Sequence, residues 1–231
     1  MPYYGIDIWY IILVLPAVIL SLIASASVNS TFKKYSKVAS KRGMTGAEAA
    51  RQVLSANGVN GVIIEHVSGN LTDHFDPKTN TIRLSDSVHS STSVAAIGVA
   101  AHEAGHAVQY AQNYSPMKMR ALIIPITNIG SNLAMPLIIL GIVLSFPILA
   151  NIGIIAFSLS TLFQLITLPV EFNASSRAIK AIEGFAADES EVKAAKKVLT
   201  AAASTYVAAL AVSLANLIRL VMIVNGGRRR D

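Results

Sequence analysis

Residues 121–170 contain no Asp, Glu, Lys, Arg or His. A helix crosses the hydrocarbon core of a bilayer in about 20 apolar residues. A charge-free run of this length is too long for one crossing and suits two, joined by a tight turn. Pro147, Asn151 and Gly153 put that turn within residues 145–153. Pro125 and Pro136 fall inside the first crossing, where prolines are tolerated better than in soluble helices. The expected product is a membrane hairpin that returns the chain to the side from which it entered.

Two further stretches are apolar enough to join it. Residues 6–26 are apolar except for Asp7 and a few serines. A cleaved leader is one reading, since Ala24-Ser25-Ala26 resembles a cleavage site. The absence of positive charge in residues 1–5 and the length of the apolar run favour an uncleaved anchor. Residues 201–224 form the last apolar stretch, interrupted by Arg219, and are expected either to span or to pack as a helix on the rest. Composition agrees with a membrane protein: 53% of residues are hydrophobic and 14% charged, against a usual charged share of about a quarter. Cysteine is absent, which excludes disulfides and thiolate metal sites. The net charge of +6 does not point to nucleic acid, because the basic residues flank apolar runs. Ten of the 19 Lys and Arg lie between Lys33 and Arg120, and five between Arg177 and Lys197. With four spans all fifteen face the cytoplasm, and only the tail Arg228-Arg229-Arg230 runs against the positive-inside rule.

Between the first span and the hairpin the composition turns polar. Residues 45–57 predict a helix, with Thr45 as cap, Glu48 three residues on and Asn57-Gly58 as the stop. Residues 62–67, 71–75 and 81–84 predict strands, the last two joined by a turn over residues 76–80. Ser90 to Ser93 offer caps for a proline-free, alanine-rich helix over residues 94–109. After the hairpin, residues 171–180 predict the start of a helix. Another helix follows Gly184, with Asp188, Glu189 and Glu191 early and Lys193, Lys196 and Lys197 late.

The helix over residues 94–109 carries His102-Glu103-Ala104-Gly105-His106. Two histidines one turn apart project from one face and can hold one metal ion. The adjacent glutamate can reach a water in an open coordination position. A catalytic zinc usually takes three protein ligands. His66, His74 and His89 are available, as are Glu65, Asp73, Asp76 and Asp86. Glu171 is the first charge after the hairpin, which brings it back to the side of His102 and His106; a carboxylate favoured by a helix N-terminus is the competing reading.

Four separated segments, Thr72-Asp73-His74-Phe75-Asp76-Pro77, Asn80 to Ser85, Ala101 to Ala107 and Pro169 to Ser175, occur in this order. Together with Lys197-Val198-Leu199 and Thr205 to Ala209, they closely resemble the YugP-type membrane neutral zinc metallopeptidases. The chain is more distantly similar to the HtpX-type and CAAX prenyl membrane proteases. The resemblance implies a membrane zinc endopeptidase using one Zn2+, with His102, His106 and Glu171 as ligands and Glu103 as general base. It also implies that Ser175 stands where the distant relatives have an aspartate beside a ligand histidine. His74 and Tyr206 are candidate donors to the substrate carbonyl, and Arg177 a candidate for steadying a carboxylate or the substrate.

The expected fold is a mainly α membrane protein with a small α+β zincin-like domain, its short sheet preceding the motif helix. The division runs 1–28 anchor, 29–120 soluble part, 121–170 hairpin, 171–200 second catalytic segment, and 201–231 C-terminal helix and basic tail. The implied partners are a peptide or protein substrate and the lipid bilayer, with no nucleic acid, and the implied location is the cell membrane with the site facing the cytoplasm. Three other readings compete. An intramembrane protease would need metal-site aspartate inside a span, and the hairpin has none. An FtsH-type protease would need a phosphate-binding loop, which is lacking. A zinc-binding scaffold or inactive relative would have no use for Glu103.

Overall fold

The computed structural model describes residues 7–227; the tail Arg228-Arg229-Arg230 and residues 1–5 lie outside them. The fold is mostly helical, with one three-stranded sheet. Its elements are a π-helical turn Tyr10–Val14 leading into α1 (Leu15–Tyr35), then α2 (Gly46–Ala56), β1 (Ile63–Val67), β2 (His74–Asp76) and β3 (Thr81–Ser85). They continue with α3 (Val94–Ala111), α4 (Ser115–Val143), α5 (Pro147–Phe185) and α6 (Glu189–Gly227). The chain divides into two units: Ser25–Lys118 with Pro169–Ser204, and Met119–Leu168 with the described parts of Met1–Ala24 and Thr205–Asp231.

In the first of these, α2 starts with the expected capping box: Thr45 Oγ1 accepts from the Glu48 amide, and Glu48 accepts from the Thr45 amide. Its buried face, Ala49, Ala50, Val53 and Leu54, packs on α3. The sheet order is β1-β3-β2, with β3 parallel to β1 and antiparallel to β2. β3 is the central, buried strand and places Ile82 and Leu84 in the core. β2, expected over residues 71–75, is shorter and starts later than the sequence suggests. Leu71 adopts φ +57°, a left-handed conformation that breaks an extended run, so pairing begins only at His74. α3 begins at Ser93, whose Oγ accepts from the Ala96 amide.

The second unit is built from apolar helices. Among the described residues four helical stretches are long and apolar enough to cross a membrane: Tyr10–Tyr35, Ser115–Val143, Pro147–Phe185 and Glu189–Asn225. The hairpin turn is tighter and earlier than expected, only three residues between α4 and α5, with Ser145 at φ +50°. Pro147 opens α5 rather than lying in the turn, which suits a residue with preset φ and no amide to satisfy. Asn151 and Gly153 then fall inside the helix. A Cβ on Gly153 would come within 2.8 Å of the Ala134 carbonyl, and one on Gly141 within 2.3 Å of the Ala150 amide nitrogen. These glycines let the two helix backbones touch, as small residues do between membrane helices. Arg219 does not interrupt α6. Its Nε and one terminal nitrogen donate to Asp7 at 2.9 and 2.6 Å, and the guanidinium lies over the Tyr10 ring, joining the start of the first span to the last.

Glu171 does not begin a helix. α5 runs unbroken from Pro147 to Phe185, with Pro169 inside it, so Glu171 sits in mid-helix and the dipole explanation for its position falls away. Similarly, residues 201–224 continue α6 instead of forming a separate element.

Candidate metal centre

The site lies where α3 meets the stretch of α5 that follows Pro169. The approach is possible because position 105 is glycine. A Cβ there would sit 2.8 Å from the Ala174 carbonyl oxygen, closer than packed atoms allow. The Gly105 of the H-E-x-x-H segment is thus the place where the α5 backbone rests on α3. Ala174 itself is wholly buried at this contact.

With the helices this close, ligating atoms of His102, His106 and Glu171 fall within 4.8 Å of one another. Glu171 Oε2 is 3.2 Å from His102 Nε2 and 3.4 Å from His106 Nε2. The imidazoles are nearly perpendicular, with ring centroids 4.7 Å apart. Glu171 is 1% exposed, so its carboxylate is withdrawn from water and aimed at the two rings. Both histidines present Nε2 to this point, and both have Nδ1 engaged elsewhere. His102 Nδ1 lies 3.2 Å from Ser175 Oγ, and His106 Nδ1 lies 2.9 Å from Gln109 Oε1. The amide oxygen of Gln109 can only accept, which puts a hydrogen on His106 Nδ1 and turns Nε2 towards Glu171. For His106, burial disfavours the charged ring. The hydrogen bond to Glu171 and the charges of Glu103 and Glu171 outweigh it, so the pKa is raised.

Gln109 is the residue that sequence reading passes over. It is wholly buried, and its Nε2 donates to the Val170 carbonyl at 2.8 Å and to Asn173 Oδ1 at 2.9 Å. Arg177 joins the same chain of contacts, donating from Nε to Asn173 Oδ1 at 2.7 Å and from Nη1 to Gln112 Oε1 at 2.6 Å. The available signal was position: Gln109 lies three residues after His106, on the same helix face, in an otherwise apolar helix.

The other candidates of the first polar segment have partners of their own outside the triad. Asp73 accepts from the Ser85 amide at 2.7 Å and from Ser85 Oγ at 2.9 Å. Burial raises its pKa, the Ser85 bonds oppose this, and the charge of Glu103 adds to the rise. Phe75 packs on Tyr110 of α3, so alternation along β2 turns His74 to the other face; its Nδ1 lies 2.9 Å from the Thr72 carbonyl. His66 is 2.5 Å from Asp86 and edge-on to His89, away from the triad. Asp76 and Glu65 contact Arg83. Tyr206 lies on α6, just past Ser204, where that helix passes into the other unit.

The donor set is two imidazoles and one carboxylate, with both rings oriented from behind. That fits a zinc ion, which takes nitrogen and oxygen donors and in catalytic sites leaves a position open. The profile of the family described as "Putative neutral zinc metallopeptidase" matches residues 10–225. The chain is 48% identical over 221 residues to the "Putative membrane protease YugP" of Bacillus subtilis (strain 168), covering 95% of this chain and 98% of that protein. No solved structure matches significantly.

Proposed function

The chain belongs to this family of neutral zinc metallopeptidases, and we propose that it is a membrane endopeptidase that holds one zinc ion on His102, His106 and Glu171. The observation that carries the proposal is the convergence of those three side chains with both Nδ1 atoms already held. A bound zinc supplies Lewis acidity, making water nucleophilic near neutral pH and polarising the scissile carbonyl.

The rest falls to the chain's own groups. Glu103 follows directly on His102 and is largely buried. Its carboxylate takes the proton from the attacking water and delivers it to the leaving amine. Ser175 and Gln109 keep the two rings from rotating, and the Gln109 amide ties α3 to the α5 backbone at Val170. Ser175 fills the role expected of an aspartate with a neutral, weaker hydrogen bond. Arg177 acts through Asn173 and Gln112 as a brace of that arrangement. Of the two expected carbonyl donors, His74 is turned away from α3 and is not retained. Tyr206 rests on the sequence alone, and Tyr206→Phe tests it by lowering kcat/KM with zinc retained. The catalytic unit faces the cytoplasm, on the strength of the fourteen Lys and Arg that it carries. A reporter fused after Arg120 that signals from outside would reverse this orientation.

The deciding experiment uses the full chain in detergent. Bound zinc is measured, and cleavage of an unfolded protein is compared between wild type and Glu103→Gln. The expected result is equal zinc, with cleavage only by wild type. Equal zinc with no cleavage by either would favour a zinc-binding scaffold. Glu171→Ala should lower zinc content; unchanged content removes it from the ligand set.

A further inference from the structure

A groove of about 670 Å3 lies between the end of α1 and the first turns of α6. Ser27, Thr31 and Lys34 recur on α1 at helical spacing, and Lys193, Lys196 or Lys197, and Thr200 do so on α6, so each helix gives the groove one face. Four ammonium groups line it, Lys34, Lys193, Lys196 and Lys197, with no carboxylate among the lining residues. Lys193 is 3.0 Å from Glu189 at the exposed surface, and Lys34 lies over the Tyr35 ring. Among the described residues no carboxylate is recorded against Lys196 or Lys197. Like charges three and four apart on a helix repel, so α6 carries a positive cluster that an anion would stabilise. Thr31 and Thr200 add hydroxyl donors suited to phosphate oxygens.

Depth along α1 favours a lipid as the source of that anion. Leu20, Leu22 and Ile23 are exposed, 48 to 65%, within two turns before Ser27. The apolar, lipid-facing surface of α1 thus ends where the cationic groove begins, at headgroup level. We propose that the groove seats the phosphate headgroup of an anionic phospholipid. Nothing in this depends on the peptidase reading.

The full chain in detergent is titrated with phosphatidylglycerol and, separately, phosphatidylcholine, and bound lipid is counted by native mass spectrometry. Phosphatidylglycerol binds preferentially. Lys196→Gln/Lys197→Gln weakens it about twenty-five-fold, at roughly fivefold per lysine. Lys33→Gln/Lys37→Gln removes the same charge outside the groove and changes binding by less than about threefold. Equal losses in the two double variants overturn the proposal in favour of diffuse attraction, as does equal affinity for phosphatidylcholine. Excess inorganic phosphate that fails to displace the lipid supports the assignment, whereas displacement at low millimolar phosphate overturns it for a free anion. Thermal unfolding reports folding, and should the first variant be unfolded, Lys34→Gln/Lys193→Gln tests the same groove.

Discussion

The two units differ in where most of their large apolar side chains point, although the second also buries a few, Ile138 and Leu220 among them. Around the metal centre the large apolar residues point inward: Val53, Ile82 and Leu84 are all wholly buried. In the helices of the other unit the large residues point outward, with Leu122 75% and Val143 72% exposed, while Ala134 and Ala150 are hidden. The solvent explains the inversion. Water drives large apolar groups together. Lipid has no such preference, so close backbone approach through small residues becomes the main attraction. Polar groups follow the same division. The unit with a water-built core can afford a dry pocket of His106, Gln109 and Glu171, because each of them has partners within it.

The sharpest way to break this contrast is to ask whether the buried polar groups serve chemistry or stability. Glu103→Gln should cut kcat/KM by about 10²–10⁴-fold, with zinc content and thermal stability little changed. A large drop in melting temperature would instead make Glu103 a packing group. Next comes the apolar contrast itself. Leu84→Ala should cost about 2–5 kcal/mol, and Leu122→Ala within about 0.5 kcal/mol, both read from unfolding of the detergent-solubilised protein; similar values would dissolve the distinction. Gly105→Ala tests the close approach of α5 to α3. The added methyl should cost about 1–3 kcal/mol and weaken zinc binding, measured by competition with a chelator, whereas Gly43→Ala should leave zinc affinity alone, since nothing lies near that Cβ. The smallest effect is electrostatic. Lys41 and the Ser190 hydroxyl hold the Asp188 carboxyl below its usual pKa. Its contribution is therefore present above the ordinary aspartate value of about 3.9 and is lost as pH falls below it. Melting curves of wild type and Asp188→Asn should converge at acid pH and differ slightly near neutrality.

What the sequence disclosed follows the range of the forces involved. The capping box at Thr45 and Glu48 is a local contract among four residues, and it formed as expected. The hairpin was legible because fifty uncharged residues have few other fates in a chain this apolar. The small sheet was legible too, but not the length of β2, which depends on the backbone turning left-handed at Leu71, a residue type that seldom does so. Helix continuity through Pro169 and Glu171 was hidden, because proline reads as a break while neighbouring helices can absorb it. Gln109 was hidden for a different reason. Its partners, Val170 and Asn173, lie across the hairpin, and no spacing rule links positions that far apart.

The unit that carries the site is assembled from two pieces of chain, with the hairpin between them. During synthesis both histidines emerge first, and Glu171 follows only after every residue of α4 and of the apolar half of α5. At roughly 5–20 residues per second this is a delay of several seconds. In that interval the nascent protein holds His102, Glu103 and His106 but not Glu171, the third of the proposed ligands. A site ordered in this way stays incomplete until its hairpin has been made, and under the proposed function the ribosome is spared a finished protease beside its own unfolded products.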